Sequence, residues 1–355
     1  MGKIKNVPNH YGDTPWAEKL PDGDLDLFED NLLEFFEIMA ERQQIWVNRI
    51  AKGGEVVENK ILLESKFTNV YRELDRNCQY SITQILLDDT LDDVTLVWKL
   101  LFYRIFNNPN TFQYIERTRG HKAGIPELMN WNQKDFVESI KEIRAGANGD
   151  KNPFTNAYLI NSMACPGKTR DQCYTEKVIP TLFDKIFEIY DGMQTLDTPE
   201  DFIKLLETLP GVSGFISHEL YQDLTYIARY TDRKIFKWDQ DDFTNVGPGC
   251  DLGLRLIFPS TSKKADKLNK IYELRDIANS GILEDLGFKF LQFDKKTEKY
   301  SVTEKGTVSL HQIEMWLCEY QKYWKMKIGV GKQRSKFNSK VTKGKDYSFY
   351  LYKPL

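Results

Sequence analysis

The chain is poor in the residues that build metal and disulfide centres. Its 355 residues include only four histidines, His10, His121, His218 and His311, and no two have metal-ligand spacing. The five cysteines (Cys78, Cys165, Cys173, Cys250 and Cys318) are odd in number and contain no CxxC pair. That argues against a cysteine-based zinc site and against a disulfide framework, and fits a reducing cytoplasm. No apolar run is long enough to cross a bilayer, and no signal peptide is evident. Asn6 stands where an N-myristoylation site beginning Met1-Gly2 requires Ser or Thr. Internal repeats and low-complexity segments are absent. The net charge of −3 is too small for bulk charge to mark a nucleic-acid binder. The expectation is a cytoplasmic globular protein with no metal site and no membrane partner; the composition does not specify a cofactor.

What is present is material for a large helical core. The 21 Phe, 18 Tyr and 7 Trp suffice for one large domain or two modest ones. Residues 1–26, with Pro8, Pro15 and Pro21, read as an N-terminal arm. Leu27 to Ile50 carries apolar residues at helical spacing, and helical patterns follow at about 64–87, 92–106, 134–145, 171–190, 200–209 and 214–230. The segment 92–106 is apolar enough to be central. Phe288–Phe293 and Lys299–Thr303 flank a turn and predict a small β-hairpin. Ser309 and Gln312 resemble a capping box that opens a helix to about Met326. No boundary divides residues 27–328. From Lys322 onward ten basic residues face one acid, Asp346, so residues 329–355 form a basic tail. Such a tail is either a phosphate footprint or a solvated end.

Several stretches bear on chemistry. The run 202–209 ends at Pro210-Gly211, and a second apolar-periodic run begins at Phe215. Two helices joined so tightly make a helical hairpin. Its turn, with Gly211, Ser213 and Gly214, leaves the first amides of the second helix unpaired at the positive end of the dipole, suited to a DNA phosphate. The alternative is an ordinary hairpin in a bundle. Phe67 to Arg76, read as helix, puts Asn69, Arg72 and Arg76 on one face at spacings of three and four. Asn and Arg together suit a base edge and a phosphate. Arg104 and Asn107 end the apolar helix 92–106, lining a cleft or capping it. Asp239, Asp241 and Asp242 precede Gly247-Pro248-Gly249, read as a loop through which backbone approaches a ligand; clustered carboxylates suit acid/base work. Asp223, Glu319 and Lys322 are further candidates, the last two at i, i+3. Ser162 to Thr169 resembles a P-loop, but Ser162 replaces the first Gly and Pro166 removes an amide, so a kinase site there is not expected.

Asn69-Val70-Tyr71-Arg72 with Asp75-Arg76, Phe106-Asn107, the hairpin, Asp223-Leu224, Asp242-Phe243, Gly247-Pro248-Gly249 and Leu317-Cys318-Glu319 with Lys322-Tyr323 occur in this order. The ordered set, spanning about residues 30–338, resembles the helical family of phage and bacterial DNA base-hypermodification enzymes. That family includes the helical domain of 5-hydroxymethyl-deoxyuridine DNA kinases and the α-glutamyl/putrescinyl-thymine pyrophosphorylases, or amino acid:DNA transferases. The resemblance implies a mainly α, helix-hairpin-helix DNA-glycosylase-like fold with the small β-hairpin near its C-terminus. It also implies displacement of pyrophosphate from 5-(pyrophosphomethyl)deoxyuridine in DNA by an amine, an amino acid or putrescine, on a flipped-out base. Ser213, where a glycosylase hairpin has a second Gly, and Val56-Val57-Glu58 depart from the family pattern. On this reading Asp242, Asp223 or Glu319 is the base. Asn69, Arg72, Arg104, Asn107 and Lys322 bind the substrate. Gly211, Ser213, Gly214, Lys332, Arg334 and Lys336 hold double-stranded DNA. A phage-encoded chain would act in the cytoplasm of the infected host. The alternatives are a DNA glycosylase or lyase, and a non-catalytic DNA-binding partner of a 5-hydroxymethyl-deoxyuridine DNA kinase.

Overall fold

The computed structural model describes residues 29–51, 57–123, 131–149, 151–155, 165–259 and 263–330. The N-terminal arm and the tail, with Lys332, Arg334 and Lys336, lie outside these residues. Among the described residues the chain is mainly helical with one two-stranded antiparallel sheet. It divides into two compact units where the sequence shows no boundary. One is discontinuous, made of the chain up to Asp75 and from Thr244 onward; the other is Arg76–Phe243.

The discontinuous unit contains α1 (Glu29–Ala51), α2 (Lys60–Glu64), α11 (Pro248–Ile257), α12 (Lys264–Ile277), α13 (Leu283–Asp285), β1 (Phe290–Asp294), β2 (Lys299–Thr303) and α14 (Leu310–Lys327). Here α14 is the hub. The Ser309–Gln312 capping box starts it, with the Gln312 side chain accepting the Ser309 amide at 2.6 Å. It buries Ile313, Trp316, Leu317 and Tyr320 against α1, α11 and α12. The strands pair in the register Leu291 to Val302 and Phe293 to Tyr300, the hairpin expected from their alternation.

The second unit contains α3 (Arg76–Ser81), α4 (Asp93–Phe106), α5 (Pro109–Ala123), α6 (Gln133–Arg144), α7 (Arg170–Cys173), α8 (Ile179–Thr195), α9 (Pro199–Leu206) and α10 (Gly214–Tyr230). The centre is α4. Asp92 caps it through the Thr95 amide at 2.9 Å, and every residue from Thr95 to Phe106 is buried. It packs on α8 and α10, and Trp98, Phe102 and Phe106 meet Trp131, Phe136, Phe154 and Tyr174 edge-to-face, tilted or stacked.

The structure corrects four readings of the sequence. The helix expected over 64–87 is not continuous. Residues 65–71 are non-helical, Arg72–Leu74 is a 3₁₀ turn, and α-helix resumes at Arg76 before ending in a π turn, Ile82–Leu86. The Gly247-Pro248-Gly249 loop instead opens α11, with Gly247 as N-cap and Pro248 in the first turn. Helices α5, α11, α12 and α13, and nearly all of α2, occupy stretches with no assigned element. Finally, Cys165 and Cys173 form a disulfide. Gly167, at φ 76°, turns the chain after Cys165, and α7 brings Cys173 back to a Cα–Cα distance of 5.6 Å. Spacing alone did not reveal that return. Cys78, Cys250 and Cys318 lie outside this disulfide.

Candidate functional site

In the discontinuous unit, four segments converge on a polar cluster. Asn69 is at its centre. Its Oδ1 accepts Arg42 Nη2 at 2.7 Å, and its Nδ2 donates to Asp75 Oδ1 at 2.8 Å. The Asn69 backbone amide donates to the same Asp75 oxygen at 3.2 Å. Arg42 also donates to the Phe67 carbonyl at 3.3 Å. The Thr68 amide meets Glu319 Oε2 at 3.4 Å, and Lys322 Nζ meets Glu319 Oε1 at 2.5 Å, the i, i+3 pair its spacing implies. Arg72 is buried on the 3₁₀ turn, beside Met315. Long-range side chains therefore pair the backbone of residues 67–69, which is why this stretch leaves the helix its apolar spacing suggests. Asn69, Arg72, Glu319 and Lys322 belong to this unit, whereas Arg104 and Asn107 belong to the other.

Two members of the cluster lack a role in that reading, Arg42 and Asp75. Arg42 is 3% exposed on α1. It lies on the apolar stripe of Phe35, Met39 and Trp46, and a charge on a buried stripe is the signal that marks it in sequence. Asp75 is half-buried. Burial raises its carboxyl pKa, and Glu319 adds to the rise, against the opposing pull of Arg72, the Asn69 amide and Arg42. The same unit holds a cavity of about 450 Å³, lined by Glu34, Glu37, Glu41, Gln44, Asn59 and Tyr323 among others. Burial raises the Glu41 carboxyl, while its bond from Asn59 Nδ2, at 2.8 Å, pulls the other way.

In the second unit, Arg104 and Asp223 are each 1% exposed and form a two-pronged pair. Arg104 Nε and Nη2 reach the two Asp223 oxygens, each at 2.5 Å. Arg104 also donates to Asn107 Oδ1 and Cys78 Sγ, each at 3.3 Å. Burial opposes the guanidinium charge, but Asp223, with Cys78 and Glu219, more than offsets it and holds the Arg104 pKa above its ordinary value. Asn107 ends α4 in the left-handed region at φ 50°, and its carbonyl accepts Asn77 Nδ2 at 2.8 Å. Here Arg104 bonds to both Asp223 and Asn107.

The hairpin is α9 and α10. Gly211 takes φ 75° in its turn, Ser213 is the N-cap of α10 without a side-chain capping bond, and Gly214 is its first residue. Phe215, next on α10, is 56% exposed. Asp242 is exposed, and its carboxylate accepts the Asp239 amide at 2.7 Å. Phe243 follows it and packs against His218 and Tyr221. In the P-loop-like stretch, Thr169 forms a capping box on α7 and Lys168 pairs with Glu176.

Residues 30–333 match the family described as 5-hmdU DNA kinase, helical domain. Among curated proteins, the 5-hmdU DNA kinase of Bacillus phage SP10 is 26% identical over 301 residues, which are 82% of this chain and 44% of that protein. The chain thus spans less than half the length of that relative. No solved structure matches.

Proposed function

This chain belongs to the family of the 5-hmdU DNA kinase helical domain, and on that premise we propose that it modifies thymidine-derived bases in phage DNA. The reaction we infer is transfer of an amine onto 5-(pyrophosphomethyl)deoxyuridine in DNA, with loss of pyrophosphate, on a helix-hairpin-helix glycosylase-like scaffold. The observation that carries the reading is the match over residues 30–333 to a domain named for 5-hmdU in DNA. The acidic cavity supports the amine half: carboxylates at Glu34, Glu37 and Glu41 suit a cationic co-substrate.

In this reading the target base is flipped out, because an incoming amine and a departing pyrophosphate need room at the 5-substituent. Arg72 and Lys322 bear on the negative charge that develops on the leaving group. Asn69 contributes to the order of that cluster. Arg104, held by Asp223 and Asn107, keeps the end of α4 in shape. The amides at Gly211, Ser213 and Gly214, and Lys332, Arg334 and Lys336, contact DNA phosphates. Glu319, Asp223 and Asp242 enter as the candidate bases of the sequence.

The test is incubation of the protein with pyrophosphomethyl-uracil DNA and a pool of amines, followed by mass analysis of the digested nucleosides. A nucleoside carrying one of the amines is the expected product. Unchanged nucleosides with every amine would sink the transferase reading. Release of free base would establish a glycosylase in its place, and DNA binding without either product a non-catalytic partner.

A further inference from the structure

We propose that Asp75 is the general base of this transfer, a catalytic residue whose Oδ2 takes the proton of the attacking amine, and that Asn69 and Arg42 are the positioning residues that hold it. The inference rests on the amine-transfer reading above. It comes from the way the two carboxylate oxygens of Asp75 differ. Oδ1 is fixed by two donors of one residue, the backbone amide and Nδ2 of Asn69. The Asn69 amide group is itself oriented, because Arg42 donates to its oxygen and so leaves its nitrogen for Asp75. Oδ2 accepts no hydrogen bond among the described residues, and Asp75 is only half-buried. One oxygen held still and one left open is the arrangement a base requires.

The carboxylates singled out from sequence differ on this point. Both oxygens of Asp223 are taken by Arg104. Glu319 divides its oxygens between Lys322 and the Thr68 amide. Asp242 is exposed and caps a turn. Arg42 and Arg72 lie close enough to bear on the charge of Asp75, yet neither donates to it. The raised carboxyl of Asp75 follows from its burial and suits proton transfer nearer neutrality.

The step balances as a substitution. The amine lone pair forms a C–N bond to the 5-methylene carbon. The C–O bond to pyrophosphate breaks, and its electron pair leaves with the pyrophosphate. The proton left on the new C–N nitrogen passes to Asp75 Oδ2.

Single-turnover transfer on pyrophosphomethyl-uracil DNA, measured across pH, tests the assignment. Asp75→Asn keeps the size and the acceptor that Asn69 bonds, but removes the base. It should slow transfer by about a hundredfold or more, leave DNA affinity within about threefold, and abolish the acid limb of the pH profile. The fold raises this pKa, so folding disfavours the charged form of Asp75 relative to the unfolded chain. Its contribution to stability is present at low pH and lost as pH rises through the folded value. Asp75→Asn should therefore melt no lower than the wild type at neutral pH, whereas a purely structural carboxylate would lower the midpoint. Asn69→Ala leaves the base in place but removes a donor that favours its charged form, so the acid limb should move to higher pH. Wild-type transfer with Asp75→Asn within a few-fold of it overturns this proposal alone. An Asn69→Ala profile whose acid limb does not move does the same, even where Asp75→Asn fails to fold. Wild-type protein that transfers no amine overturns the amine-transfer reading and this proposal together.

Discussion

Asp223 and Asp242 show how differently two carboxylates with similar sequence credentials end up. Asp223 and its partner Arg104 are each 1% exposed, so each charge is offset chiefly by the other, which faces it in a two-pronged geometry. Asp223→Ala leaves a buried guanidinium beside Cys78 and Asn107 without its counter-charge, and should cost about 3–5 kcal/mol in urea unfolding. The double variant Arg104→Met, Asp223→Leu removes both charges and should be less destabilised than Asp223→Ala alone. An Asp223→Ala chain as stable as the wild type would show that the pair does not hold α4 and α10 together. Asp242 lies at the other extreme. Its contact is a turn bond to the Asp239 amide in open solvent, and Asn still accepts such a bond. Asp242→Asn should transfer within a few-fold of the wild-type rate. A loss of about a hundredfold or more in single-turnover measurements would restore Asp242 to the catalytic role.

At the scale of elements, the closest packing in the discontinuous unit is α11 on α14. A Cβ built on Gly253 would stand 2.1 Å from the Leu317 carbonyl oxygen and 3.1 Å from its Cα. Backbone meets backbone there, and neither side can yield. Gly249, one turn earlier, faces the Cys318 side chain, with Sγ 2.9 Å from the same hypothetical atom. Gly253→Ala should cost about 1–3 kcal/mol or more, and Gly249→Ala less, because a side chain can turn away where a carbonyl cannot. Thermal or urea unfolding of the two variants reads the difference. Equal losses would mean that the helices separate rather than clash. Gly249, which in sequence belonged to a loop suited to a ligand, is thus an approach for a helix.

At the scale of the whole molecule, charge is distributed unevenly along a chain whose net charge is only −3. The residues from Gly331 onward carry Lys332, Arg334, Lys336, Lys340, Lys343, Lys345 and Lys353 against Asp346. If these cations neutralise DNA phosphates, each contact adds about 0.9 to the slope of log affinity against log salt for duplex DNA. A chain ending at Val330 should bind duplex DNA more weakly than the full chain, with a shallower slope. Binding isotherms at four or five salt concentrations measure this, and an unchanged slope would make the tail a solvated end.

The sequence by itself determined the local elements whose signals are local. The apolar run of α4, the Ser309–Gln312 box, the alternation of β1 and β2, and the turn at Gly211 each carry their own physical cause within a few residues. The tertiary structure decided what depends on partners far along the chain. Residues 65–71 give up helix because Arg42 and Glu319 pair with the backbone of Phe67 and Thr68. The return of the chain at Thr244 to the unit it left after Asp75 has no local marker. Nor does the asymmetry of Asp75, whose one held oxygen depends on Asn69 and, through it, on an arginine of α1. Helical and strand periodicities are properties of neighbouring residues. A buried carboxylate's freedom is a property of every group that folding brings beside it, and only the folded chain specifies that set.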